Sequence, residues 1–82
     1  MAKVYVLTVD TGESLEVRAF ENKERPQEIM RHRYEAERDD YISIYGEDNV
    51  SHYIDEDCAS VQLEGSHMEE HIDFLITECE IE

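Results

Sequence analysis

Residues 26–45, PQEIMRHRYEAERDDYISIY, decide the fold. Met30, Tyr34, Tyr41 and Tyr45 recur at helical spacing, with Ile29 and Ile42 beside them, and Gly46 follows as a C-terminal cap. Pro26 suits a first helical turn, where its missing N–H costs nothing, and it should push Arg25 out of helical geometry. The stretch therefore predicts one amphipathic helix over 26–45, with Asp39-Asp40 as a point of loosening. Arg31 with Glu35 and Arg33 with Glu37 are spaced to pair along it, so the helix should offer no positive patch.

Strand patterns flank this helix on both sides. KVYVLTVD (3–10) is β-branched and aromatic, Thr11-Gly12-Glu13 is a turn, and SLEVRAF (14–20) alternates. In that second strand Leu15, Val17 and Ala19 share one side and Glu16 and Arg18 the other. After the helix come VSHYI (50–54), a turn at Asp55-Glu56-Asp57, and CASVQLE (58–64), with Ala59, Val61 and Leu63 in phase. A turn at 65–70 leads to HIDFLITECEIE (71–82). There Ile72, Phe74 and Ile76 share one face while Leu75, Cys79 and Ile81 share the other. Either the first half of this strand is buried on both sides, or a bulge near Leu75-Ile76 switches its facing. The order β-β-α-β-β-β predicts an α+β fold, an antiparallel sheet of about five strands with one amphipathic helix packed on one face.

Eighty-two residues make a single domain, 1–82, with no room for a second core. No run approaches the ~18 apolar residues needed to cross a bilayer, and MAKVYVLTVD carries no signal-peptide pattern, so a cytoplasmic, non-membrane protein is expected. Cys58 and Cys79 are too few for a disulfide framework and read as small apolar core residues. If Glu64 opposes Glu70, Cys58 opposes Ile76 and the two thiols do not meet.

Charge is the most informative quantity. Lys and Arg number 7 against 22 Asp and Glu, a net −15. All the basic residues precede Asp39, so residues 1–38 are nearly neutral and residues 39–82 carry every remaining charge as carboxylate. A half-chain of one sign repels itself and lowers stability unless something else favours it. Asp39, Asp40, Glu47 and Asp48 crowd the helix C-terminus, where the macrodipole disfavours them. Glu78, Glu80 and Glu82 alternate along a strand at ~6.8 Å, about two base steps of one DNA strand at ~3.4 Å each.

Catalytic patterns are lacking. His67-Met68-Glu69-Glu70-His71 matches the letters of an inverted zinc-protease motif, but between two strands it reads as a polar turn. Neither Asp55-Glu56-Asp57 nor Glu47-Asp48-Asn49 has calcium-loop spacing. His52 reads as a partly buried structural residue beside a tyrosine. No nucleophile elbow, phosphate-cradling loop or dinucleotide fingerprint occurs, so no enzyme, metal or cofactor is expected. Direct nucleic-acid binding is set aside, because phosphate recognition relies on Lys and Arg.

An acidic binding protein remains. In size and charge, though in no motif, the chain resembles the small DNA mimics of phages and mobile elements, the anti-CRISPR and anti-restriction inhibitors. That resemblance implies occlusion of the basic groove of a nucleic-acid-binding enzyme, by long-range attraction of a basic protein partner. The expected contact residues are Asp39, Asp40, Glu47, Asp48, Asp55, Glu56, Asp57, Glu69, Glu70, Glu78, Glu80 and Glu82, with Tyr41, Tyr45 and Tyr53 as anchors. The alternative is a general protein-interaction module or homodimer that pairs through an exposed sheet edge, its acids serving solubility.

Overall fold

The computed structural model describes residues 2–64 and 71–81. Its elements run β1 (Ala2–Asp10), β2 (Leu15–Phe20), α1 (Glu24–Tyr45), a single 3-10 turn (Glu47–Asn49), β3 (Val50–Ile54), β4 (Cys58–Leu63) and β5 (His71–Ile81). The five strands form one antiparallel sheet in the order β2-β1-β5-β4-β3. The α+β order β-β-α-β-β-β is as expected. Because β2 and β3 are opposite edges, α1 crosses one face of the sheet to join them.

That face holds the core. Leu7 and Val9 of β1 stand opposite Ile76 and Phe74 of β5, and Phe74 and Ile72 stand opposite Ala59 and Val61 of β4. These side chains are buried together with Leu63, Val50, and Met30 and Tyr34 of the helix. Tyr5, Phe20, Ile29, Tyr41, Ile42 and Tyr45 pack around them, so the apolar stripe of residues 26–45 is the surface α1 buries.

The helix begins two residues earlier than its proline suggested. Asn22 Oδ1 accepts the Arg25 N–H at 3.0 Å, fixing the entry ahead of Pro26 and holding Arg25 in helical geometry. Pro26 then lies in the third helical position, still among the residues whose N–H has no intrahelical acceptor, and is buried. The helix is continuous through Asp39-Asp40. Gly46 closes it at φ 89° and ψ 147°, a backbone conformation that suits glycine, and its N–H reaches Ile42 O at 2.9 Å. Asn49 Nδ2 donates to Tyr45 O at 2.7 Å, satisfying another terminal carbonyl. Arg33, expected to pair with Glu37, instead donates to Glu16 of β2 at 2.6 Å, because β2 lies beyond the helix and leaves Glu16 free to meet it.

β5 is central and has no switch of facing. Ile72, Phe74 and Ile76 all point to the helix, whereas Leu75 is 51% exposed on the other side, so the strand is not buried on both faces. Cys58 opposes Leu75 rather than Ile76, a one-residue shift of the expected register, and Cys79 opposes Val4. Both thiols are free and stand partly exposed on the sheet face away from the helix, not in the core. No helix among the described residues is long and apolar enough to cross a membrane.

Candidate functional site

The helix runs along the sheet for about 33 Å at 1.5 Å per residue. It separates the acidic residues into two groups. At its C-terminal end Asp39 and Asp40 lie in the penultimate turns, and Glu47 and Asp48 open the 3-10 turn just after Gly46; all four are exposed. The last turn of the helix holds no basic residue. The macrodipole adds its partial negative charge at the same place. Arg38 answers one of the four, its guanidinium lying 3.1 Å from Asp39 Oδ1. That hydrogen bond, with the Asp39 charge, holds the guanidinium above its ordinary value.

The second group sits by the helix N-terminus. Asp55, Glu56 and Asp57 form the turn between β3 and β4, and Gln27 Nε2 donates to Glu56 O at 3.2 Å. Lys23 Nζ lies 2.9 Å from Asp57 Oδ1, and Lys3 Nζ lies 3.6 Å from Glu78 Oε2. Glu78 and Glu80 face the helix side of the sheet, opposite Tyr5 and Lys3 of β1. The alternation expected for them holds, but the array carries its own countercharge at Glu78. Glu69, Glu70 and Glu82 lie outside the described residues, as do His67 and most of the His67–His71 motif.

Among the described residues, the acids therefore form two poles and not one rigid face. Basic residues of the first half fold back onto three of them. The expected aromatic anchors also divide. Tyr41 and Tyr45 stack edge to face on the helix, with ring centroids 6.1 Å apart. Tyr53 points from β3 to the opposite side of the sheet, its Oη 3.2 Å from Cys58 Sγ. This hydrogen bond raises the phenol above its ordinary value.

The Lys23 ammonium is raised above its ordinary 10.5, first by the hydrogen bond to Asp57 and further by the charges of Asp57, Glu56 and Glu78. A raised folded-state value means that its contribution to stability is complete below the ordinary lysine range. The contribution is lost as pH climbs through the folded-state value. The melting-temperature difference between wild type and Lys23→Met should stay constant from about pH 7 to about pH 9 and shrink only once pH climbs past the ordinary lysine range. A difference unchanged at the highest pH would show that Lys23 acts through its alkyl chain.

Beside the helix, Gln27, Tyr34, Arg38, Ile54 and Glu56 line part of an open groove of about 500 Å³ against β3. Its charged groups are of mixed sign. Among the described residues no three His, Cys, Asp or Glu side chains gather as a metal ion would require.

One surface escaped the sequence reading. Leu15, Val17, Leu75 and Ile81 are exposed on the face of the sheet away from the helix. Their alternation was visible, but one helix can cover only one face, and that count would have marked the second apolar set as uncovered. No family model, curated protein or solved structure matches the chain.

Proposed function

We propose that the chain is a non-enzymatic acidic binding protein whose partner is a basic protein, best fitted by a nucleic-acid-binding enzyme whose groove it occludes. The observation that carries this reading is the negative pole at the helix C-terminus. Asp40, Glu47 and Asp48 stand exposed there beside Asp39, and residues 39–82 hold no Lys or Arg. Charges placed against the macrodipole cost the fold stability. A basic groove would offset that cost while its own cations steer the encounter. Tyr41 and Tyr45, partly buried next to this pole, supply apolar area at its margin. The second pole, Asp55 to Asp57 with Glu78 and Glu80, lies toward the other end of the helix. It engages only a partner that follows the length of the helix.

The test is affinity capture from the native host with the tagged chain, at about 0.05 M and about 0.5 M NaCl, read by mass spectrometry. Basic nucleic-acid enzymes should be enriched at low salt and released at high salt. The triple variant Asp40→Lys, Glu47→Lys, Asp48→Lys should lose them while keeping a wild-type circular dichroism spectrum. Partners that survive both the salt and the charge reversal would overturn the reading.

A further inference from the structure

The uncovered face of the sheet is chemically unlike the rest of the molecule. Val17, Thr8, Leu75 and Cys58 form one continuous cross-strand row over β2, β1, β5 and β4. Leu15 and Val17 at one edge, with Leu75 and Ile81 on the central strand, are 49–63% exposed. In a chain of net charge −15, the strand residues on this face include only two carboxylates, Asp10 and Asp73, opposite each other near one end. Asp73 is held there by Ser60, whose Oγ donates to its Oδ1 at 2.9 Å. Monomeric proteins seldom leave an apolar area of this extent in water.

We infer that this face is covered by a second copy of the chain, docked sheet to sheet as a two-fold dimer. Two quantities choose that occupant. The first is area. The strand lengths, at ~3.3 Å per residue and ~4.8 Å between strands, give roughly 600 Å² of projected sheet. Side chains standing off the sheet add to this, which brings it near the ~800 Å² per partner of a stable interface. The second is charge. A basic partner finds almost nothing to pair with here, whereas an equally acidic second copy can approach only where the carboxylates are sparse. β-Branched sheet faces also pack on one another at ~10 Å, as in sandwiches.

Like-charge repulsion fixes the orientation as well. A two-fold axis across the strands places the Asp10–Asp73 pairs of the two copies at opposite ends, while an axis along the strands would stack all four carboxylates. The assembly is then four layers, helix, sheet, sheet and helix, with the acidic poles outward. Edge pairing is not needed for it.

The test uses the whole chain in reductant. Sedimentation equilibrium from about 1 to about 500 µM should show a monomer–dimer equilibrium. Raising NaCl from ~0.05 to ~0.5 M should tighten the dimer at least threefold, because salt screens the repulsion between two acidic copies. Iodoacetamide should label Cys58 and Cys79 more slowly as protein concentration rises, a readout that needs no substitution. Val17→Lys with Leu75→Lys, both at exposed positions, should raise the dissociation constant about 100-fold or more. Should that pair misfold, Leu75→Ala should still weaken the dimer measurably. A monomer at every concentration, thiols labelled at one rate, or a dimer that loosens with salt would each overturn the proposal. Since acidic-pole binding weakens with salt, failure of one interaction is distinguishable from failure of the other.

Discussion

Phe74→Ala is expected to destabilise the domain by about 3–5 kcal/mol, a large share of its stability. Phe74 sits on the central strand of the sheet, between Val9 on β1 and Ala59 on β4, and is 2% exposed. Ala59, itself buried, is small, and space beside it is filled by larger neighbours such as the ring. Removing the ring leaves a cavity that two flanking strands, each hydrogen-bonded to β5, cannot close by moving inward. At ~0.05–0.15 kcal/mol per residue a chain of this length has only about 4–12 kcal/mol to lose. Urea denaturation followed by circular dichroism should therefore find the variant's midpoint far below that of the wild type. The control is Leu75→Ala, one residue along and half exposed. At sub-micromolar concentration, where no dimer contributes, it should cost under about 1 kcal/mol. Equal losses at the two positions would mean that the outer face is as buried as the inner one.

The contrast between these neighbours shows how far the sequence could be read. Period-two patterning located each strand to within a residue or so, and helical spacing of Met30, Tyr34, Tyr41 and Tyr45 located the helix face that is buried. Strand alternation in β2 and β5 separated two apolar sets. It could not say which set the helix covers, because that depends on register with β1. With Tyr5 opposite Phe20 and Leu7 opposite Arg18, β2 turns Glu16, Arg18 and Phe20 to the helix side and its aliphatic residues away. Arg18 then lies over the Phe20 ring at 5.2 Å, and Glu16 takes Arg33, a local solution for polar groups on the inner side of an edge strand. The position of Pro26 misled the helix start because Asn22, ahead of the expected helix, accepts the Arg25 N–H and lets the first turn form before the proline.

Charge was legible as a total and not as a shape. The absence of Lys and Arg beyond Arg38 is a fact of sequence, but countercharge depends on which strands become neighbours. Antiparallel pairing of the two ends of the chain sets Lys3 beside Glu78, and the path of the helix from β2 to β3 sets Lys23 beside the β3–β4 turn. Exposed pairs of this kind contribute little to stability, so they trim the acidic field without abolishing it. The pole left most exposed, at the helix C-terminus, is also the one where no described strand arrives to bring a cation.

Tyr34→Ala should cost about 3–5 kcal/mol, and Tyr34→Phe only about 0.5–1.5 kcal/mol. Tyr34 lies at the middle of the helix, 4% exposed, and fastens it to the edge strand β3. Its Oη is 3.0 Å from His52 Nδ1, the two rings meet edge to face at 6.2 Å, and the Arg38 guanidinium lies 5.5 Å over the phenol ring. Alanine removes the ring, its packing and the hydrogen bond together. Phenylalanine removes the hydrogen bond alone. Because His52 is itself exposed, water can replace the lost partner, which places the phenylalanine cost at the lower end. His52→Ala should cost about as much as Tyr34→Phe, and the double variant little more than either, as a shared interaction requires. Additive losses from thermal melts of the three proteins would mean that the hydrogen bond contributes nothing and that β3 is held by Val50 and its ladder to β4 alone.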